Sequence, residues 1–401
     1  MKKIYINSAG CNENLLDGEI LRDTAQKSSF LLVEDPKDAN LIVYNTCAFK
    51  KEQEDATIKA IKRLQRIKKK DAELIVCGCI VKINNERLRR FFKGQTFSPY
   101  ELTKFPDILN VAGAKPMAEA NCISEESFST QIFKRPLLDK VYAVKAWSRR
   151  TLGVNLLPEF NILDFLGDKS AFFLRIARGC INSCTYCAVR FAQGPLISMP
   201  LEIVLAKVSQ GVLGGHQHIF LSATNISAYG KDIGENFLNT LKQITQIKGD
   251  YRITVHNLEP CGIIEEPQKF LETLSSPKIS AIYCPINSGS QRVLNYMKRK
   301  YEINNWMGIL EALRRNNPRL LIRTEFIVGF PGENWKDFYA TLLLIARFKF
   351  DLIDLHYYSP RPNTEALLLN NQNHCVIKRL RYLIALLVIF FRVWLPKLKP
   401  I

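Results

Sequence analysis

Three cysteines lie close together between Arg178 and Val189. Cys180, Cys184 and Cys187 stand at C-x3-C-x2-C spacing on a loop just after the apolar run Ala171 to Ile176. Thiolates so spaced converge on one inorganic centre. A structural zinc or an ordinary electron-transfer cluster takes four protein ligands, and no fourth cysteine is close in sequence. The compact triplet therefore suggests an iron-sulfur cluster with one iron left open to a substrate or cosubstrate. A zinc loop or a disulfide set is the other reading of the loop taken alone.

A second set of thiols is dispersed. Cys11, Cys47 and Cys79 each follow a short strand-like run: Lys3 to Ile6, Leu41 to Asn45 and Glu73 to Cys77. With a helical stretch from Leu15 to Ala25, the pattern is β-α-β-α-β, which favours a parallel sheet with covering helices. In such a sheet the loops after the strands open on one edge, so three cysteines far apart in sequence meet there. Three buried, unligated cysteines are the plain alternative. Cys77 reads as a buried strand-end residue, although Cys77 and Cys79 are interchangeable on sequence alone.

Beyond the Cys180 loop, strand-like runs recur at His218 to Ala223, Arg252 to Asn257, Ala281 to Ile286, Leu321 to Val328 and Leu352 to Tyr357, with helical stretches between them. Counting Phe172 to Ile176, six βα steps make an open version of a barrel, with active-site residues at the carboxyl ends of the strands. The expected fold class is α/β: an N-terminal open parallel-sheet domain (1–115) followed by a partial (β/α)6 barrel (171–368). Pro116, Pro136 and Pro158 interrupt any long helix in the intervening linker, 116–170. A basic and apolar terminal helix is expected over 369–401.

The chain has 401 residues, 47% hydrophobic, and its 56 Lys and Arg against 38 Asp and Glu give a formal charge of +18. That field attracts polyanions such as RNA, or marks a merely basic protein. From Glu52 to Lys70, Ile58, Ile61, Leu64 and Ile67 share one helical face, with Lys59, Lys62, Arg63, Arg66, Lys68, Lys69 and Lys70 elsewhere. Arg87, Arg89, Arg90 and Lys93 extend this charge, and Lys298 to Lys300 and Lys378 to Arg381 are further basic groups. None is interleaved with aromatics, so they are expected to contact phosphates rather than read bases. An odd count of eleven cysteines and the absence of a signal-peptide core point to a reducing cytoplasm. The ten apolar residues from Tyr382 to Phe391 fall short of the about 20 that span a bilayer. They read as a packed terminal helix without a stable transmembrane anchor, or as an interfacial helix.

With Tyr186 before its third cysteine, the Cys180 loop resembles the cluster loop of radical S-adenosylmethionine (SAM) enzymes, whose open iron is chelated by SAM. Gly10 to Asn14 with Asp17 and Glu19, Asn45 to Ala48, and Cys77 to Cys79 resemble the three N-terminal cysteine motifs of the radical-SAM methylthiotransferases. Leu221 to Gly230, Leu258 to Pro260, Pro285 to Ser290, Ile327 to Glu333 and Tyr358 to Arg361 resemble that family's later signatures in the expected order. The resemblance covers roughly residues 1 to 368.

It implies two 4Fe-4S clusters, one on Cys180, Cys184 and Cys187 and one on Cys11, Cys47 and Cys79. It further implies SAM, bound with help from Tyr186, Asn225, Glu259, Gly329 and Glu333, and a flavodoxin- or ferredoxin-type electron donor. The implied reaction inserts a methylthio group at an unactivated C-H bond of a modified adenosine in tRNA. A protein or peptide side chain is the alternative substrate, and a non-catalytic cluster-bearing or RNA-binding protein the alternative class. Thr224 and Asn287 depart from the family pattern, each standing where Gln or a similar residue is usual. Asn363 replaces a usual Gly, and His256-Asn257 stands where small residues are common. The family's usual C-terminal TRAM domain, which binds RNA, has no counterpart in this sequence.

Overall fold

The computed structural model describes residues 1–109, Ile123, Val154–Asn155, 171–395 and 399–400. Most of the expected linker, 116–170, and Lys397 in the tail lie outside the described residues. The first sheet contains β1 (Lys3–Ser8), β2 (Leu31–Leu32), β3 (Leu41–Thr46), β4 (Glu73–Gly78) and β5 (Thr96–Phe97), in the order β2-β1-β3-β4-β5. All its pairings are parallel. Every residue of β3 is buried, as expected of a central parallel strand covered on both faces. Helices α1 (Asn12–Lys27), α2 (Lys51–Ile67) and the single turn α3 (Ile80–Ile83) follow β1, β3 and β4. Ile58, Ile61 and Leu64 bury one stripe of α2 while Lys59, Lys62, Arg63, Arg66 and Lys69 are exposed.

Two short strands, β6 (Val154–Asn155) and β14 (Lys399–Pro400), pair antiparallel with each other. The remaining sheet has seven strands: β7 (Phe172–Arg178), β8 (Ile197–Ser198), β9 (His218–Ala223), β10 (Arg252–Val255), β11 (Ile279–Tyr283), β12 (Leu321–Val328) and β13 (Leu352–Tyr357). Its order is β13-β12-β11-β10-β9-β7-β8, so six strands lie in chain order and all pair in parallel. That is the open barrel expected, with β8 added antiparallel at one edge. Two strands end earlier than the sequence suggests. Asn257 sits in the left-handed region at φ 63°, which stops β10 at Val255. Pro285 has no N–H for the ladder, and β11 closes at Tyr283.

The two sheets share an interface. Leu15 and Leu16 of α1 pack with Ala171, Phe173 and Phe220 of the barrel. On the other side Ala188 and Ala192 join a buried cluster with Cys79, Ile80, Val81 and Ile83. The helix Val189–Gln193, which follows Cys187, thereby lies against α3, which follows Cys79. The terminal helix Cys375–Ile389 buries Ala385 and Ile389 on the barrel and leaves Leu383 and Leu387 exposed. No described helix is long and apolar enough to cross a membrane.

Candidate active site

Each of Cys11, Cys47 and Cys79 leaves the same edge of the first sheet. Cys11 caps α1, Cys47 follows β3 directly, and Cys79 separates β4 from α3. Gly10 makes the close approach of the first two possible: a Cβ there would stand 2.9 Å from Cys47 Cβ and 3.0 Å from its Sγ. Asn14 then ties the three loops together. Its Nδ2 donates to the carbonyls of Ala9 (2.7 Å) and Thr46 (2.8 Å), and its Oδ1 accepts from Cys79 Sγ at 3.7 Å. Burial pushes the thiols of Cys47 and Cys79 up, and for Cys79 the neighbouring Cys47 and Cys11 add to it. Cys77 packs instead with Ile4, Ile6, Ile20 and Phe97, in a different cluster from Cys79. Gly78, at φ +93°, ends the strand alternation after Cys77, so the two cysteines, although two positions apart, pack in different clusters.

At the second set, Cys180 N donates to Gly194 O (3.3 Å) and Cys187 N to Cys184 O (3.1 Å), which folds the loop on itself. The sulfurs already have donors facing them. Cys180 Sγ accepts from Asn182 N (3.4 Å) and Asn225 Nδ2 (3.9 Å), and Cys184 Sγ from Arg299 Nη1 (3.9 Å). Such donors favour thiolate over thiol, against burial that raises Cys180 and Cys184, while burial and then the neighbouring Cys184 push Cys187 up to about 12. Arg299 is buried, paired to Glu259 at 2.5 Å, and donates to Pro285 O. The sequence places it on the surface with Lys298 and Lys300 as a phosphate contact, and the structure corrects that.

Tyr186 turns into the barrel and donates to Asn287 Oδ1 (3.0 Å), whose Nδ2 donates to Glu325 Oε1 (3.0 Å). Asn287 thus has a defined polar task at a position that departs from the family pattern. His256, another departure, lies between the rings of Phe220 (5.3 Å) and Tyr283 (4.8 Å). Burial and then Arg323 hold its imidazole down at about 3, so it is neutral at physiological pH.

Gly329 and Glu333 form one closed turn. Gly329 N donates to Glu333 Oε2 (2.6 Å), and Arg381 of the terminal helix pairs with the same oxygen at 2.7 Å. A Cβ on Gly329, at φ +71°, would meet Lys378 Cγ at 2.4 Å. Burial lifts the Glu333 carboxyl to about 7 against both partners. Its Oε2 is therefore engaged by the turn and the terminal helix, and Arg381 is a buried packing residue rather than the RNA contact expected.

Fit to the implied groups rests on the donor sets and on polar atoms without partners. Among the described residues no three Cys, His, Asp or Glu side chains form a ready single-ion cage. Three thiols apiece are the donor chemistry that a 4Fe-4S cluster takes on three of its irons. Beside the Cys180 loop, Asn225 Oδ1, Glu259 Oε1 and Thr224 Oγ1 are buried without a hydrogen-bond partner. Unpartnered acceptors at that depth suit a ligand carrying ammonium and hydroxyl donors, as SAM does.

Comparison with known proteins agrees with this geometry. Residues 3–97 match the uncharacterized protein family UPF0004, and residues 174–345 match the radical SAM superfamily. The chain is 30% identical over 375 residues to a probable threonylcarbamoyladenosine tRNA methylthiotransferase of Pyrococcus horikoshii, covering 91% of this chain and 79% of that protein. It belongs to the radical-SAM methylthiotransferase family. Family relatives include the threonylcarbamoyladenosine tRNA methylthiotransferase MtaB of Thermotoga maritima, 30% identical over 91% of this chain and 77% of that one. A tRNA-2-methylthio-N(6)-dimethylallyladenosine synthase of Sulfurimonas denitrificans is 32% identical over 91% and 78%. Among solved structures the radical SAM methyltransferase TsrM of Kitasatospora setae aligns with a TM-score of 0.60 at 13% identity, over 91% of this chain and 74% of that one. That likeness shows the fold. Membership in the radical SAM superfamily carries with it a 4Fe-4S cluster and SAM.

Among the family positions, the structure brings Cys180, Cys184, Tyr186, Asn225 and Glu259 together around Arg299 and Asn287, and packs Phe330 of the Gly329–Glu333 turn against Tyr186 with ring centres 6.4 Å apart, while Glu333 Oε1 is buried without a hydrogen-bond partner. Asn14 and Arg299 have roles that sequence patterns alone do not reveal. Their partners lie 65 and 115 positions away, Cys79 and Cys184 respectively.

Proposed function

We propose that this methylthiotransferase acts on a modified adenosine of tRNA, as the names of its relatives say of them, with Cys11, Cys47 and Cys79 holding a second 4Fe-4S cluster. The observation that carries the reading is the shared interface: Cys79 and Ala188, the residue after Cys187, lie in one buried cluster, so the two thiol sets border the same seam. When bound, the two clusters supply the electron that cleaves SAM to a hydrogen-abstracting radical and the sulfur that is transferred. The chain's own part is to hold them. Asn225, Arg299 and the Asn182 amide direct donors at the sulfurs of the Cys180 loop, and Glu259 and Tyr186 line its barrel side. We assign the first sheet, 1–115, and the barrel, 171–368, as separate domains in a cytoplasmic enzyme supplied by a flavodoxin- or ferredoxin-type donor. Incubation of the anaerobically reconstituted protein with tRNA, SAM and a one-electron reductant, then nucleoside mass spectrometry, is expected to show a 2-methylthio-adenosine derivative. SAM cleavage without any modified nucleoside would move the reading to a peptide or protein substrate, and no SAM cleavage with clusters present would mean a non-catalytic protein.

The tRNA contact is assigned to α2. Lys59, Lys62, Arg63 and Arg66 are exposed on it and Lys69 just past its end, and Lys62 lies 4.0 Å from the centre of the Phe91 ring. The other expected contacts are weaker, because Arg299 and Arg381 are buried and Lys298 pairs with Glu365 at 2.5 Å. Replacing Lys62, Arg66 and Lys69 by Glu is expected to weaken tRNA binding by about tenfold or more at low salt. The slope of log affinity on log salt should flatten by about 2 to 3, at about 0.7 to 0.9 for each phosphate no longer neutralised. SAM cleavage should be unchanged. Filter binding across a salt series measures this, and an unchanged slope removes α2 from the tRNA interface.

A further inference from the structure

The seam between the two thiol sets is crossed by a buried ionic clamp. Arg175 and Arg178 of β7 both reach Asp17 Oδ1 on α1, at 2.8 and 2.9 Å, and Arg175 also lies 3.5 Å from Glu13 Oε2. The side chains of Arg175 and Asp17 are each 1% exposed. Glu13 and Asp17 belong to the first turns of the helix that Cys11 caps, and Arg178 is two residues before Cys180. The same few residues therefore connect the first ligand of one set to the first ligand of the other.

The apolar contacts of Leu15 and Leu16 with Phe173 and Phe220 already bury this face. An ion pair added within it has to recover the desolvation of both charges, which apolar side chains of similar volume would not incur. What the pair adds is register. Apolar surfaces slide over each other at little cost, whereas one carboxylate oxygen shared by two guanidinium groups fixes α1 along and around its axis against β7. A second tie acts on Cys47: Glu54 near the start of α2 is buried and paired to Arg361 and Arg87, and Lys50 Nζ lies 2.7 Å from His356 Nδ1 of β13.

We propose that Asp17, Arg175 and Arg178 are positioning residues that set the separation and orientation of the two cysteine sites, so that loosening the clamp uncouples SAM cleavage from sulfur insertion. The inference rests on the reading that Cys11, Cys47 and Cys79 hold a second cluster. The test uses the full-length, reconstituted protein and compares Asp17→Asn, Arg178→Met and Arg178→Lys with the wild type. Arg178 is 20% exposed, so its replacement is compatible with folding even if the more buried Asp17→Asn is not.

Two readouts are taken. The first is the ratio of 5'-deoxyadenosine to methylthiolated nucleoside. Because a displacement of about 1 Å costs about a hundredfold in a positioned reaction, Asp17→Asn and Arg178→Met are expected to raise that ratio by about tenfold or more, with 5'-deoxyadenosine formation within about twofold of wild type. Arg178→Lys, which keeps the charge, should recover most of the coupling. The second readout needs no substrate: the electron paramagnetic resonance spectrum of the doubly reduced protein should show altered spin-spin broadening in Asp17→Asn and Arg178→Met, a signature that a loss of stability alone does not produce. Wild-type iron near four rather than about eight per chain overturns the underlying two-cluster reading. Wild-type iron near eight, with ratio and spectrum unchanged in the variants or with both products falling in parallel, overturns the clamp alone.

Discussion

Cys79→Ala is expected to remove about half of the iron from the anaerobically reconstituted protein, from about eight to about four per chain, while Cys77→Ala leaves it near eight. The two residues flank Gly78, so sequence offers no reason for the difference. The structure does. Cys79 sits at the strand end with Asn14 Oδ1 3.7 Å from its sulfur, and Cys47 and Cys11 are close enough to raise its thiol further. Cys77 points to the opposite face of β4 among Ile4, Ile6, Ile20 and Phe97. A set of three that loses one member keeps two thiolates, too few to retain a four-iron cluster under gel filtration. Cys79→Ala should therefore form no methylthiolated product yet still cleave SAM, because Cys180, Cys184 and Cys187 are untouched. Cys77→Ala should show only the cost of a small core truncation, about 1 kcal/mol. Iron analysis with 5'-deoxyadenosine and nucleoside quantification checks all three points, and loss of iron from Cys77→Ala alone would exchange the roles.

Much of this architecture is legible in the chain because parallel strands announce themselves as short, largely apolar runs, and a cysteine follows each of β1, β3 and β4. The polar residues that organise the site are less legible. Arg299 reads as surface charge because it stands between Lys298 and Lys300, and nothing local reveals that Glu259 and Cys184 lie beside it. Arg381 reads as part of a basic cluster for the same reason, until the terminal helix brings it to Glu333. Two signals are nevertheless present. Arg175 interrupts the apolar run Ala171 to Ile176, and Glu54 falls four residues before Ile58 on the buried stripe of α2. A charge inside a pattern that is otherwise buried has to be paired, and both are paired across the seam. What sequence lacks is the identity of the partner, which lies 158 residues away for Arg175 and 307 for Glu54.

The other large effect is expected at Gly179, between Arg178 of the clamp and Cys180 of the cluster loop. Its φ is +75°, and a Cβ built there would stand 1.8 Å from Pro195 O and 2.4 Å from Pro195 C. Two costs combine in Gly179→Ala. The left-handed backbone costs about 1 to 2 kcal/mol for any residue with a Cβ. The clash is larger, because the atom met is backbone and cannot rotate aside. It is relieved only if the Cys180 loop and the Gly194–Pro195 segment move apart, which breaks the Cys180 N to Gly194 O bond and strains the pairing of Arg178 with Ile197. Gly215 is the control: its φ is +84°, yet nothing lies within 4 Å of a Cβ there. Gly215→Ala should show the conformational cost alone and lower the melting midpoint by about 2 to 8 °C. Gly179→Ala should lower it by clearly more and should lose the Cys180 cluster, leaving about four irons on the N-terminal set and no SAM cleavage. Equal midpoints for the two variants, with iron and SAM cleavage retained in Gly179→Ala, would show that the cluster loop does not depend on this contact for its shape.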